Sequence, residues 1–156
     1  MTEHVIRPAH AGDADTFVAH RIALYREAGD IPPGDAAASL AFAISKAFVD
    51  GIANGSCLAW IATSGQADLA GSAAMQIVPR LPSPQNRSSL EGYVAQLFIL
   101  PDWRRRGIGS ALMKAVVAAA RHRYLGRIRL HSTKEGLAMY ERLGFKIRTN
   151  DMELFI

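Results

Sequence analysis

Residues 93–121 read YVAQLFILPDWRRRGIGSALMKAVVAAAR, and the reading of this stretch decides the fold. An apolar run (Val94, Leu97, Phe98, Ile99, Leu100) stops at Pro101-Asp102. A basic turn follows, Arg104-Arg105-Arg106-Gly107-Ile108-Gly109. Beyond it Ile108, Ala111, Leu112, Ala115, Val116 and Ala119 recur at the period of a helix with one apolar face. The spacing predicts strand, glycine turn, helix.

That order has a chemical meaning. The first N–H groups of a helix lack intrahelical partners, and the positive end of its dipole lies there. Glycines let a bulky anion approach the backbone, and arginines add forked donors that match phosphate. A ligand carrying a diphosphate is the reading this favours; a solvated arginine-rich helix start is the other. The turn is neither a GK[ST] phosphate loop nor a G-x-G-x-x-G fingerprint, because Leu112 stands where the third glycine belongs. Nucleoside triphosphates and dinucleotides are therefore disfavoured.

The turn resembles the [QR]-x-x-G-x-[GA] signature of the GNAT-type N-acetyltransferases, and it lies between a strand and a helix as in that family. Further on, Met139-Tyr140-Glu141-Arg142-Leu143-Gly144-Phe145 is similar to the family's L-Y-x-x-x-G-F element. The two motifs occur in the family's order and separation, so the resemblance covers essentially the whole chain.

Length and composition agree with one domain over residues 1–156: 49% of the residues are hydrophobic and 21% charged, which is enough for a core. No apolar run approaches a membrane span, and Met1-Thr2-Glu3-His4 opens no secretory signal, so a cytoplasmic protein without membrane contact is expected. Cys57 is the sole cysteine and sits in an apolar run, which reads as a packed thiol. The net charge is +4. Much of it is local, in Arg104 to Arg106 and again in Arg121, Arg123, Arg127 and Arg129. Coenzyme A would account for the first group, and a solvated face for the second. Neither a recognition helix nor an aromatic-basic strand motif is present, so nucleic acid is not an expected partner.

Outward from the central stretch, Val5-Ile6-Arg7 reads as a strand ended by Pro8. Asp13 reads as the cap of a helix through Phe17, Arg21, Leu24 and Ala28, with Gly29 as its stop. Asp35 caps a second helix, and Asn54-Gly55 turns into a hairpin of Cys57 to Thr63 with Leu69 to Val78. Pro79 to Ser89 is the one linker-like segment, an idle loop or a substrate-side lid. After the central helix come a strand Arg127 to His131, a capping box Ser132-x-x-Glu135 opening a helix, and two closing strands, Phe145 to Arg148 and Met152 to Ile156. The expectation is an α/β GNAT fold, a mixed twisted sheet of about six to seven strands with helices on both faces.

The resemblance implies acetyl transfer from acetyl-coenzyme A to a primary amine of a small molecule or a protein, in a protein that forms a homodimer by family habit. It implies that the strand before the turn splays from its neighbour, so that pantetheine pairs with the backbone of Leu97, Phe98 and Ile99. A main-chain N–H of that stretch polarises the thioester, and Arg104, Arg105, Arg106, Gly107, Ile108, Gly109 and Ser110 hold the pyrophosphate. Tyr140 falls on the family's tyrosine beside the coenzyme sulfur and is the candidate acid. The family often has Asn seven residues before it; here the position is Thr133, which keeps one hydroxyl for the cofactor. Tyr25, Glu27, Tyr93, Gln96 and His131 are placed on the acceptor side, with Glu91, His131 and Glu27 as candidate bases. The segment 24–29 and the His131-Ser132-Thr133 corner are similar to a bacterial-type branch of small GNAT proteins. Because the central strand lacks a carboxylate, the alternative is a non-catalytic acyl-coenzyme A-binding module.

Overall fold

A computed structural model describes residues 3–148 and 150–156. In chain order the elements are β1 (His4–Pro8), α1 (Ala14–Ala28), α2 (Ala38–Asn54), β2 (Cys57–Ser64), β3 (Leu69–Pro79), β4 (Leu90–Ile99), α3 (Ile108–His122), β5 (Ile128–Leu130) and α4 (Leu137–Arg142). The five strands form one sheet in the order β1-β2-β3-β4-β5. The first three pairings are antiparallel, and β4 with β5, joined across α3, is parallel.

Alternation along the strands divides the core between the two faces. Trp60, Ala62, Ala73, Met75 and Val94 pack against Ile108, Leu112, Met113, Val116 and Ala120 of α3. Ala59, Ile61 and Ala74 point the other way, onto α1 and α2, where Phe17 and Phe48 stack with centroids 4.4 Å apart. Cys57 is buried in this second layer, and burial pushes its thiol up to about 11, so it is a packed, inert group.

Among the described residues, five strands stand in place of the expected six or seven. Neither Phe145 to Arg148 nor Met152 to Ile156 is a strand, Thr149 lying outside the described residues. The side chains of Ile147, Met152, Leu154 and Phe155 are exposed, so pairing there would bury no face to offset the ordering of the backbone.

Three helix starts also differ from expectation. The Asp13 carboxylate leaves its own helix and accepts from Arg7 and from the His10 N–H. Asp35 accepts from the Ala37 N–H, and α2 begins only after it. The Ser132-x-x-Glu135 box does not form: Ser132 donates to the Thr133 carbonyl, and α4 starts at Leu137. In each case a short polar side chain takes a nearer backbone or ionic partner than the helical one.

Candidate active site

The turn before α3 takes the shape its sequence suggests. Arg105 (φ 64°) and Gly107 (φ 79°) both occupy the left-handed region, and α3 begins immediately after them with no side-chain cap. The N–H groups of Gly107, Ile108, Gly109 and Ser110 have no acceptor among the described residues. They sit at the positive end of a helix fifteen residues long. A Cβ on Gly109 would approach the Met139 sulfur to 3.2 Å, so the surface here stays low and open.

The arginines divide. Arg104 turns back from the turn: its Nε donates to the Ile99 carbonyl at 2.9 Å, and its Nη2 meets Glu27 at 2.6 Å. The Arg106 guanidinium lies over the Trp103 ring at 4.9 Å, and Arg105 is exposed. Arg104 thus fastens the end of β4 to the end of α1. Glu27, expected near the acceptor, is the other half of that contact.

Next to this turn, β4 parts from β5. The two strands pair only over Gly92, Tyr93 and Val94 with Ile128, Arg129 and Leu130. Beyond Val94, β4 is paired on its β3 side alone among the described residues, which leaves one edge of residues 95–99 without a neighbouring strand, though the Arg21 and Arg104 side chains cap the Ala95 and Ile99 carbonyls. A β-bulge lies at this parting: Ala74 opposes Gln96 while Met75 opposes Val94, leaving Ala95 without a partner. The extra residue rephases the strand. Val94, Leu97 and Ile99 pack on the α3 side, whereas Phe98 meets His20 of α1, ring centroids 5.0 Å apart.

The bulge also decides the fate of Gln96, which does not face an acceptor. It is buried beneath α1 and donates to Ser72 Oγ at 3.0 Å, and Ser72 in turn contacts His20 Nδ1 at 2.7 Å. Burial lowers the His20 pKa to about 4, so the imidazole is neutral.

Tyr140 is buried against the α3-side core, in edge contact with Phe145 at 5.7 Å. Its hydroxyl makes no hydrogen bond among the described residues. Burial pushes it up to about 12, so the phenol holds its proton at any ordinary pH. It lines a cavity of about 330 Å³ together with Tyr93, Arg129, His131, Ser132 and Leu137. There the Tyr93 hydroxyl and His131 Nδ1 lie 2.7 Å apart. Thr133 Oγ1 accepts from the Gly136 N–H at 3.2 Å, ordering the turn into α4. Tyr25 is not at this cavity; its hydroxyl accepts from Arg21 at 2.8 Å.

Glu91 is removed as a base. It is 1% exposed and meets Arg80 at 2.8 Å, Arg127 at 2.9 Å and Arg129 at 3.8 Å. Burial alone would raise its pKa, but the hydrogen bonds and charges of Arg127 and Arg80 outweigh that and hold it below the usual value. Arg127 and Arg129 therefore serve this cluster and are not simply a solvated face. Arg80 also anchors the 79–89 segment, whose Asn86 is buried and occupies the space a Cβ on Gly126 would need. The segment is a pinned loop in this conformation.

His20, Ser72 and Arg21 were not singled out by sequence reasoning. The available signal was polarity inside apolar patterns: His20 falls three residues after Phe17 on α1, and Ser72 lies in the middle of β3.

Residues 55–147 match the acetyltransferase (GNAT) domain model, and the chain belongs to the GNAT acetyltransferase family. Its structure is similar to a GCN5-related N-acetyltransferase from Ralstonia eutropha (TM-score 0.86, 26% identity, 98% of this chain and 99% of that one). It superposes equally on a predicted acetyltransferase from Clostridium acetobutylicum determined with acetyl-CoA (TM-score 0.86, 24% identity, 98% and 96% covered). Among curated proteins, the glucosamine 6-phosphate N-acetyltransferase of Trypanosoma brucei brucei is 27% identical over 86 residues. That match spans 55% of this chain and about half (56%) of the relative. No helix among the described residues is long and apolar enough to cross a membrane.

Proposed function

We propose that the protein transfers the acetyl group of acetyl-coenzyme A to a primary amine by direct attack of the amine on the thioester. The observation that carries this is the set of unpaired N–H groups of Gly107 to Ser110, placed beside a β4 edge that β5 leaves open. Those donors fit the pyrophosphate, and the edge of Leu97 to Ile99 fits the amides of pantetheine, as a peptide adds to a sheet. The thioester then comes to the parting of β4 and β5, near Tyr140.

In the reaction the amine nitrogen bonds to the acetyl carbon, the carbon–sulfur bond breaks, and the electron pair leaves with sulfur. The amine also loses a proton to solvent. Tyr140 assists the departure of sulfur. A phenol near 12 lies above a thiol of about 8.5, so full proton transfer is uphill by roughly 5 kcal/mol. The phenol therefore acts by donating a hydrogen bond to sulfur as negative charge builds there.

The cavity lined by Tyr93, His131 and Tyr140 is the acceptor side. Of the three candidate bases, His131 alone lines it. The named relatives support small amines as acceptors: glucosamine 6-phosphate in one, and an aminoglycoside in the enzyme AAC(6')-Iy, a fold neighbour with TM-score 0.74.

Two measurements test the proposal: calorimetric titration with coenzyme A, and thiol release from acetyl-coenzyme A across amino sugars, amino acids and polyamines. Saturable binding with amine-dependent thiol release is expected. Tight binding with no turnover on any amine would identify an acyl-coenzyme A-binding module instead.

A further inference from the structure

We infer that the acceptor amine carries an anionic group, a phosphate or a carboxylate, held by Arg129 and its neighbouring cations in the cavity of Tyr93, His131 and Tyr140. The inference rests on the proposed function, which makes that cavity the acceptor side. Among the described residues, its charged lining is Arg127, Arg129, Lys146 and Arg148 against Glu141 and Asp151. Four cations thus face two carboxylates, a net charge of +2 around about 330 Å³, a space that suits a small molecule. Tyr140 is 8% exposed, and its hydroxyl has no hydrogen bond among the described residues. No fully buried polar side-chain atom among those residues lacks a partner, so this hydroxyl opens on the cavity that Tyr140 lines. The cations are not equally committed. Arg127 gives Nε and Nη2 to Glu91 at 3.1 and 2.9 Å. Arg129 stands 3.8 Å from Glu91 and 3.4 Å from Asp151, beyond the roughly 2.9 Å of a good charge-assisted bond, and is 39% exposed. Lys146 and Arg148 are exposed and form no ion pair with any described residue.

Arg129 pairs with Tyr93 in the β4–β5 register, so the two side chains stand on one face of the sheet. The Tyr93 hydroxyl meets His131 Nδ1 at 2.7 Å. An anion seated on Arg129 leaves the rest of a small acceptor to run past this pair toward Tyr140 and the thioester. The seat is separate from that of the coenzyme, because no lining residue comes from the turn before α3. Two effects then favour an amine with an anionic end. Its phosphate or carboxylate gains the donors that Arg129, Lys146 and Arg148 leave unused. The same cations disfavour the ammonium form of an amine bound among them, so more of it is neutral and able to attack. A polyamine or a polycationic amino sugar would instead bring several like charges into a positive cavity, and is rejected. Because these cations are partly exposed, the preference is sensitive to salt.

The test is thiol release from acetyl-coenzyme A with acceptors matched in pairs, with and without an anionic group. The pairs are phosphoethanolamine and ethanolamine, 4-aminobutyrate and butylamine, and glucosamine 6-phosphate and glucosamine, with spermidine as the polycation. In the wild-type protein kcat/KM is expected to be ~10-fold or more higher for the anionic member, chiefly through KM, and the ratio should shrink as salt is added. The phosphate and carboxylate pairs distinguish which anion is taken. Arg129→Gln is expected to remove most of the preference by raising KM for the anionic member. Glu91 keeps Arg80 and Arg127 in that variant, so the melting temperature and the calorimetric affinity for coenzyme A should change little. Arg129→Lys, which keeps the charge, should restore part of the preference, whereas a merely structural role would slow both members alike. Neutral members used as well as anionic ones, or spermidine used best, would overturn the inference. Should Arg129→Gln not fold, the double variant Lys146→Gln, Arg148→Gln leaves every partner of Glu91 in place and is expected to lose part of the preference. An unchanged ratio in whichever of these variants folds would overturn the inference equally. If coenzyme A binds and no amine at all releases thiol, the proposed function itself fails and this inference with it.

Discussion

His20 shows how one side chain acquires its properties from its surroundings. Its imidazole has an ordinary pKa of 6.5 when unfolded, and burial under α1 takes it to about 4. Between these values the unfolded chain binds a proton that the folded chain refuses. Stability is therefore full above pH 6.5 and falls as the pH drops toward 4, by of order 3 kcal/mol. Urea unfolding at pH 7, 5.5 and 4 should show this slope, and His20→Gln should flatten it. Asp13, held at about 2 by its hydrogen bond from Arg7, titrates in a separate window, its contribution being lost only below about pH 4. Tyr140 is the other residue whose behaviour is set by burial. Tyr140→Phe keeps the ring and its contact with Phe145, so coenzyme A affinity should hold while kcat falls ~10²-fold. Equal steady-state rates in the two proteins would remove its role in sulfur departure.

At the scale of the element, the start of α3 combines an undemanding fold requirement with an exacting ligand requirement. Its apolar stripe fixes the helix against β2, β3 and β4, leaving Gly107 to Ser110 to meet an anion. Gly109→Asp places a carboxylate at the positive end of the helix, which favours the fold by ~0.5 kcal/mol, while flexible Met139 yields to the new Cβ. The same carboxylate repels a pyrophosphate. Calorimetry should find coenzyme A binding abolished in a protein whose melting temperature is unchanged; retained affinity would move the pyrophosphate elsewhere. The bulge at Ala95 is the complementary device in β4. It turns Gln96 inward and Leu97 toward α3, so the strand's apparent alternation in sequence misassigns every face beyond it.

In the molecule as a whole, Glu91 is the charge on which three arginines from two segments converge. Arg80 reaches it from the loop after β3, and Arg127 and Arg129 from the start of β5. Glu91→Gln leaves three cations around a neutral amide and should cost about 2–3 kcal/mol, at the low end for a buried pair because the arginines keep part of their water. The loss should appear in chemical denaturation above pH 5. It should fade under acid, where the wild-type carboxylate also loses its advantage as the pH falls through its depressed folded value. Protease sensitivity of the 79–89 loop should rise in the same variant, since Arg80 would lose its anchor.

The central strand-turn-helix, the two helices before the hairpin, the glycine stop at Gly29 and the exposed donors of the turn were legible from residue order. Each depends on contacts between near neighbours: helical period, turn chemistry and unpaired terminal amides. The inward turn of Gln96, the capture of Glu27 by Arg104, the three-arginine shell of Glu91, the grip of Arg21 on Ala95 and the absence of closing strands were not legible. Those depend on register and on which segments, distant in sequence, come to lie within 3 Å. A single bulged residue, or a strand only three residues long, changes that pairing without leaving a mark in local propensity.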